Sequence, residues 1–404
     1  MPGYLYFTVF TGLVVIAMLT GPRRPRAMGT LTYLLAPAYN EVPQLFLFLL
    51  AISVVPEYLT GESLTTWDWI GLSLAALLTI GLLLIAWRGY KARRIVARAL
   101  DRGLGEGWRT QVDPARLVNL DGGPRWVRIL FTPFVFFRRG VERIGNISYG
   151  PHDRNRLDVY RSTKHPTDAP VLIYFHSGGF YSGNKRLGSS ELLHRLASQG
   201  WVTISANYRL RPQASYFEHL ADAKRAIAWA HEHAHEYGAD ADTLVVAGGS
   251  AGAHLAAVAA QSQNDPELQP GFEEGDTSLS GVVGLYGWYG GYYGLGGADS
   301  PTGPLGYDAA TAPPFFIAHG ELDTLATIEA ARRLERHLRA GSRNPVVSAE
   351  LPGGHHGFDL FYSLRYEAVV DGIEAFAAWL RARDAEPDAA RAVPTVYRQS
   401  WTPY

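Results

Sequence analysis

The chain contains no cysteine in its 404 residues. That excludes disulfides, thiol nucleophiles and cysteine-based metal sites, and leaves the compartment open. It also has almost no net charge: 37 basic side chains stand against 38 acidic ones, so no electrostatic case exists for a nucleic-acid partner. Lysine is scarce, occurring only as Lys91, Lys164, Lys185 and Lys224, and arginine carries the rest of the positive charge. No internal repeat is present. At this length the chain can hold one α/β domain plus an appendage.

Charge is missing most conspicuously from the first hundred residues. Tyr4–Thr20 is a nearly uncharged apolar run, and Val42–Leu59 is another, interrupted by Pro43, Gln44, Pro56 and Glu57. Trp69–Trp87 is the clearest, nineteen residues with no charge at all. A bilayer span needs about 20 apolar residues, so residues 1–95 read as a transmembrane anchor of three helices. Trp67, Trp69 and Trp87 fit interfacial anchors at its ends. A signal peptide fits the first run poorly. It lacks a basic leader, and Gly21-Pro22-Arg23-Arg24 follows in place of a small-residue cleavage site. Arg23, Arg24 and Arg26 follow the first run, Glu57, Glu62 and Asp68 separate the second and third, and Arg88, Lys91, Arg93 and Arg94 follow the third. With three spans, positive loops inside place the amino terminus outside and everything after residue 95 in the cytoplasm.

Residues 96–140 read as a linker. Within it, the apolar stretch 129–137 (ILFTPFVFF) lies between Arg125 and Arg128 on one side and Arg138 and Arg139 on the other. It is too short to span. It suits either a segment at the headgroup level or a packed cap element. Residues 141–385 alternate between apolar β-branched runs and helical patterns, eight of the former and five of the latter. That predicts a mostly parallel sheet of about eight strands with helices on both faces and an antiparallel leading edge. Residues 386–404 form a tail.

Three motifs in this region carry chemistry. The first is Val245-Val246-Ala247-Gly248-Gly249-Ser250-Ala251-Gly252, an apolar run entering Gly-x-Ser-x-Gly with an alanine-rich helical run after it. That is the strand–turn–helix setting in which a serine hydroxyl is held out at a sharp turn. The second is VLIYFHSGGF at 171–180, a strand running into a glycine-rich loop. Backbone amides of such a loop can approach a developing oxyanion closely. The amides of Gly178, Gly179 and Ala251 are the candidate donors. The third is a pair of strand ends, FFIAHGELDTL at 315–325 with Asp323 and VVSAELPGGHHGF at 346–358 with His355 and His356. The order Ser250, Asp323, His356 is nucleophile, acid, base in the chain order of α/β hydrolases.

Taken together, HSGGF (176–180), NYRLRP (207–212), GGSAGAH (248–254), HGELDT (319–324) and HHGF (355–358) resemble the hormone-sensitive-lipase-like esterase group of α/β hydrolases, over about Val141 to Arg383. The resemblance implies a carboxylic-ester hydrolase, esterase or lipase, with Ser250 as nucleophile, Asp323 in preference to Glu321 as the acid, and His356 in preference to His355 as the base. Ser177 stands where the group has its first loop glycine, and Gln213 stands where many members have glutamate; neither touches the triad.

Other features have plainer readings. His176, His254 and His319 read as local structure. His231-Glu232-His233-Ala234-His235 matches a zinc-protease pattern, but it falls at a helix end with no third ligand in view, so no metal is expected. The aromatic stretch 284–297 lies where a loop faces the active-site end; Trp288, Tyr289 and Tyr292, with Phe180, are candidate substrate contacts, as is Tyr293. The expected whole is a multi-pass membrane-anchored serine hydrolase acting without cofactor on lipophilic esters, its partners being that ester and membrane lipids. An arylformamidase-type amidase, an acyltransferase and a catalytically silent binding protein are the alternatives.

Overall fold

The computed structural model describes residues 3–59, 65–134, 137–293 and 295–384. The expected tail, 386–404, lies outside them. Eight strands form one sheet: β1 (Val141–Ser148), β2 (Arg156–Ser162), β3 (Ala169–Phe175), β4 (Val202–Ala206), β5 (Ala239–Gly249), β6 (Gly281–Leu285), β7 (Phe315–Gly320) and β8 (Val346–Leu351). Their order is β1-β2-β4-β3-β5-β6-β7-β8. β2 runs antiparallel to β1 and β4, and every other pairing is parallel. The expected antiparallel edge is therefore present.

The register decides where a site can form. Phe175 pairs with Gly248, Gly249 with Leu285, Leu285 with Ala318, and Ala318 with Ala349. The carboxyl ends of β3, β5, β6, β7 and β8 thus line up along one edge, where an open α/β sheet places its ligands.

Strand residues alternate between two cores, because successive side chains leave opposite faces. Ile173 and Val246 pack with helices α8 (Tyr216–His233), α9 (Ala251–Gln261) and α10 (Ile328–Gly341). Leu172, Val245 and Val283 pack with α7 (Ser190–Ser198), α11 (Leu364–Asp384) and the end of a long amino-terminal helix. Burial on both faces explains why β3 and residues 244–249 of β5 read as continuous apolar runs.

The amino-terminal region holds α1 (Gly3–Thr20), α2 (Arg26–Glu41), α3 (Pro43–Leu59) and α4 (Thr66–Leu104). α4 starts at a capping box between Thr65 and Asp68 and stops at Gly105, whose φ of +86° a side chain would strain. Its 39 residues extend about 58 Å at about 1.5 Å per residue. Leu78, Leu82 and Ile85 pack with Val15 and Met18 of α1 and Leu50 and Val54 of α3. Further on, Ala92, Val96, Ala99 and Leu100 sit in the core of the sheet domain against α11 and β8. The boundary expected at residue 95 thus falls inside one helix. Residues 96–140 also pack on the domain, through buried Trp108, Val112, Leu117 and Leu120 and the short helices α5 (Pro114–Asp121) and α6 (Trp126–Phe131).

Among the described residues, α4 alone is long and apolar enough to cross a membrane as a single helix. α2 and α3 pass the same test only as a pair, bent by 81° at their junction, and α1 is apolar but shorter. Gly81 lies against Val15, and Arg88 donates to the Leu19 carbonyl at 3.0 Å. The numbers rise together, so α1 and α4 run in the same direction, toward the sheet.

Candidate active site

Ser250 sits on the turn between β5 and α9 with φ +52° and ψ −113°, a conformation non-glycine residues rarely adopt. Such a backbone persists only where the surroundings over-determine it. Here the Ser250 amide donates to the Leu285 carbonyl at 3.0 Å, and the Trp288 amide donates to the Ser250 carbonyl at 3.2 Å. A Cβ on Gly252 would come within 2.0 Å of the Phe175 carbonyl oxygen, so only glycine lets α9 start this close to β3.

His356 reaches Ser250 from the loop after β8. Its Nε2 lies 2.9 Å from the Ser250 Oγ, and its Nδ1 lies 2.7 Å from Asp323 Oδ2 in the loop after β7. With Nδ1–H donating to the carboxylate, Nε2 is left to accept the Ser250 O–H. Asp323 is fully buried. Burial pushes its pKa up, but the charge and hydrogen bond of His356, then the charge of His319 and the Leu325 amide, outweigh that and hold it below the ordinary carboxylate value. The arrangement can pass a proton from a serine hydroxyl to an oriented imidazole.

The neighbouring candidates point elsewhere. The His355 Nε2 bonds the Met18 carbonyl of α1 at 2.9 Å, and Glu321 is exposed and accepts from the Gly353 amide. The His176 Nδ1 lies 2.7 Å from the Ser177 carbonyl, and its ring stacks on Tyr208 with centroids 4.3 Å apart. His254 bridges the Trp288 carbonyl and the Tyr216 hydroxyl, and His319 bonds the Ala326 carbonyl at 2.7 Å. Burial lowers His176, His254 and His355 each to about 4, so all three are neutral.

Gly178 and Gly179 follow β3 with φ of +126° and +60°, in the loop facing the Ser250 turn. A Cβ on Gly178 would lie 2.1 Å from the Ser182 carbonyl oxygen. The Tyr293 hydroxyl donates to the Gly179 carbonyl at 2.6 Å and ties the loop to the 284–297 stretch. Of the candidate substrate contacts, Trp288 is 40% exposed, whereas Tyr289 is 1% exposed. Phe180 and Tyr292 are buried against each other, and Tyr292 also bonds His219. All three are buried, as Ser250 and His356 are, whereas Trp288 and Tyr293 present surface.

His231 bonds the Ser278 carbonyl at 2.9 Å, and no group of three metal-ligating side chains occurs among the described residues. A surface cleft lined by Tyr149, Arg225, Trp229, His231 and Phe272 contains no triad residue.

Two features had no reading in the sequence. Asp359, three residues past His356, accepts from the Tyr174, Ser189 and Tyr286 hydroxyls, and the Tyr286 ring packs on His356 at 4.8 Å. A buried carboxylate with three hydroxyl donors makes a fixed floor under the imidazole; its signal was an acidic residue in an otherwise apolar segment. The other feature is Tyr33 of α2, 5.5 Å from the His356 ring, centroid to centroid. Nothing local marks it.

A sheet of this order, with its serine turn after β5 and its acid and histidine loops after β7 and β8, defines an α/β hydrolase. Residues 157–290 match the BD-FAE family model. The protein described as "Probable carboxylic ester hydrolase LipM" of Mycobacterium tuberculosis is 36% identical over 353 residues, covering 79% of this chain and 81% of that protein. The chain belongs to this family of hormone-sensitive-lipase-like carboxylic ester hydrolases, and it is an esterase. The isoprenylcysteine alpha-carbonyl methylesterase ICME of Arabidopsis thaliana is 29% identical over 167 residues, 41% of this chain and 38% of that one. The butyrate-bound esterase Est2 of Thermogutta terrifontis shares the fold, with a TM-score of 0.51 at 24% identity, over 59% of this chain and 93% of its own.

Proposed function

We propose that the chain is a membrane-anchored serine esterase that acts on lipophilic carboxylic esters through an acyl-enzyme on Ser250. The observation that carries this is the hydrogen-bonded line Ser250–His356–Asp323 at a strained turn. In this reading Ser250 Oγ attacks the ester carbonyl as His356 Nε2 takes its proton. The oxyanion rests on the amides of Gly178, Gly179 and Ala251. His356 then protonates the leaving alcohol, Asp323 holds the imidazole in its tautomer, and water releases the acid by the same steps.

The anchor reading rests on the outward surfaces of the amino-terminal helices. Phe10, Leu13 and Ile16 of α1, Phe48 and Ile52 of α3, and Leu77, Ile80 and Leu83 of α4 are all exposed. A bundle apolar on its outside as well as its inside suits lipid and not water. α1, α3 and α4 would each cross, with α2 lying near the sheet edge. The exposed faces of Trp126, Val127 and Phe131 on α6 favour the headgroup-level reading of that segment, and Trp126 stacks on Tyr90, just past Trp87. Arg23 reaches Glu329 and Arg88 lies beside Gly353, so the basic residues after α1 and after Trp87 stand at the sheet end of the bundle, and by the positive-inside tendency this supports a cytoplasmic catalytic domain. An anchor brings the site to lipid-soluble esters, in keeping with the isoprenylcysteine methyl ester named for the plant relative.

The test is hydrolysis of p-nitrophenyl esters from acetate to palmitate by the detergent-solubilised chain beside Ser250→Ala. The proposal expects the variant to lose activity by about a thousandfold or more, with the wild-type optimum above the shortest acyl groups. An active Ser250→Ala overturns the nucleophile. A folded wild type inert on every ester, yet active on formamides, moves the reading to an amidase.

A further inference from the structure

One side of the candidate site is supplied from outside the sheet domain. α2 lies across the loops that carry Asp323 and His356. Near its start, the Gly29 carbonyl accepts from the Thr324 hydroxyl at 2.9 Å, one residue past Asp323. In its middle, the Tyr33 ring meets the His356 ring edge-on at 67°. Pro37 stands 3.7 Å from the place a Cβ on Gly357 would take. At its end, buried Glu41 pairs with buried Arg365 and accepts from the Ser363 hydroxyl at 2.6 Å. A helix held at start, middle and end keeps Tyr33 in one place.

Two tyrosines pack on the His356 ring. Tyr286 is fully buried and tied to Asp359, whereas Tyr33 is half-buried and keeps exposed surface. The leaving oxygen of an ester must lie within hydrogen-bond reach of His356 Nε2, because that nitrogen returns the proton. The alcohol attached to that oxygen therefore lies beside the imidazole, next to whatever packs on the ring's accessible side. Exposed Leu360 lies with Pro37 beside Gly357, and exposed Leu325 follows Thr324, so both loops offer apolar side chains on the side that α2 covers.

We infer that Tyr33 is a specificity-determining residue that selects the leaving alcohol by size, and that the anchor bundle is thereby part of the active site as well as a tether. The inference rests on the serine-hydrolase reading above. It makes the preferred substrate class esters of lipophilic alcohols, with Tyr33 limiting their bulk next to His356.

The experiment uses the full chain in detergent and two ester series. One fixes the acetyl group and compares methyl with 2-naphthyl alcohol, acid release being followed by pH-stat. The other fixes the p-nitrophenyl group and compares acetate with octanoate. Tyr33→Ala, Tyr33→Trp and Tyr33→Phe are measured beside wild type and Ser250→Ala. Each Tyr33 variant is first shown to take up one fluorophosphonate per chain, which establishes an intact site. Tyr33→Ala is expected to raise the naphthyl-to-methyl ratio of kcat/KM by about tenfold, the scale of a pocket-size effect. Tyr33→Trp should lower it, Tyr33→Phe should leave it within about twofold, and the acyl ratio should stay fixed in all three. Alanine and tryptophan ratios that do not move in opposite senses, or that move equally in the acyl series, overturn the inference. An active Ser250→Ala overturns the underlying reading instead.

Discussion

The distinction between His355 and His356 turns on one peptide unit. Side by side in sequence, they take opposite roles in space: one bonds the end of α1, the other Ser250 and Asp323. Neither assignment follows from composition. Motif order narrows the base to this pair, and the resemblance to a family pattern, His before Gly-Phe, selects between them. The neutral buried histidines have a measurable consequence. His176, His254 and His355 are each lowered from the ordinary 6.5 to about 4 by burial. Between those values the unfolded chain binds more protons than the folded one, so stability rises with pH there. Their stabilising contribution is complete above pH 6.5 and is lost as pH falls toward 4. Thermal melts in detergent at fixed ionic strength should give a Tm that is flat just above neutrality and declines through that window. His176→Gln, which cannot titrate, should flatten part of the decline. A Tm independent of pH between 6.5 and 4 would contradict the neutral assignment.

Elements of the sheet domain were legible because their local patterns and tertiary contacts agree. All eight strands and the five helices α7 to α11 lie where period, turn residues and apolar runs place them. The amino-terminal region was less legible for three physical reasons. α4 changes surroundings without changing its secondary structure, passing from the bundle core to the sheet core near Gly89, and a continuous helix leaves no breaker at that boundary. α2 contains Pro37 in its interior, a signal that ordinarily argues against a helix. Its docking depends on long-range pairs such as Glu41 with Arg365, which no local window contains. That pair gives a prediction for the element. Removing one partner of a buried ion pair leaves an uncompensated charge and costs about 3–5 kcal/mol. Glu41→Ala should lower the Tm markedly and speed proteolysis between α2 and the sheet domain, while the double variant Glu41→Ala, Arg365→Met should recover part of the loss. Equal melting curves for wild type and Glu41→Ala would show that α2 is not held by this contact.

For the whole molecule, the candidate constellation of Ser250, Asp323 and His356 was legible because its three parts fall in motif order at strand ends, and the register of β3 through β8 brings those ends to one edge. What the chain order could not show is that the amino-terminal bundle meets that same edge. α1 ends at His355, α2 covers His356, and α4 continues into the core. The proposed three-span topology predicts that a cytoplasmic reporter fused after Arg94 is active and alkaline phosphatase fused there is inactive. The reverse pattern would contradict the orientation. The proposed reaction rests on Ser250, and the most direct measurement is the site of covalent labelling. The detergent-solubilised chain is treated with a fluorophosphonate, activity is followed alongside, and the modified peptide is identified by mass spectrometry. The account predicts one label per chain on the peptide containing Ser250, uptake that parallels loss of esterase activity, and no uptake by Ser250→Ala. Full inactivation with the label on another residue, or full labelling of Ser250 with activity retained, would contradict it.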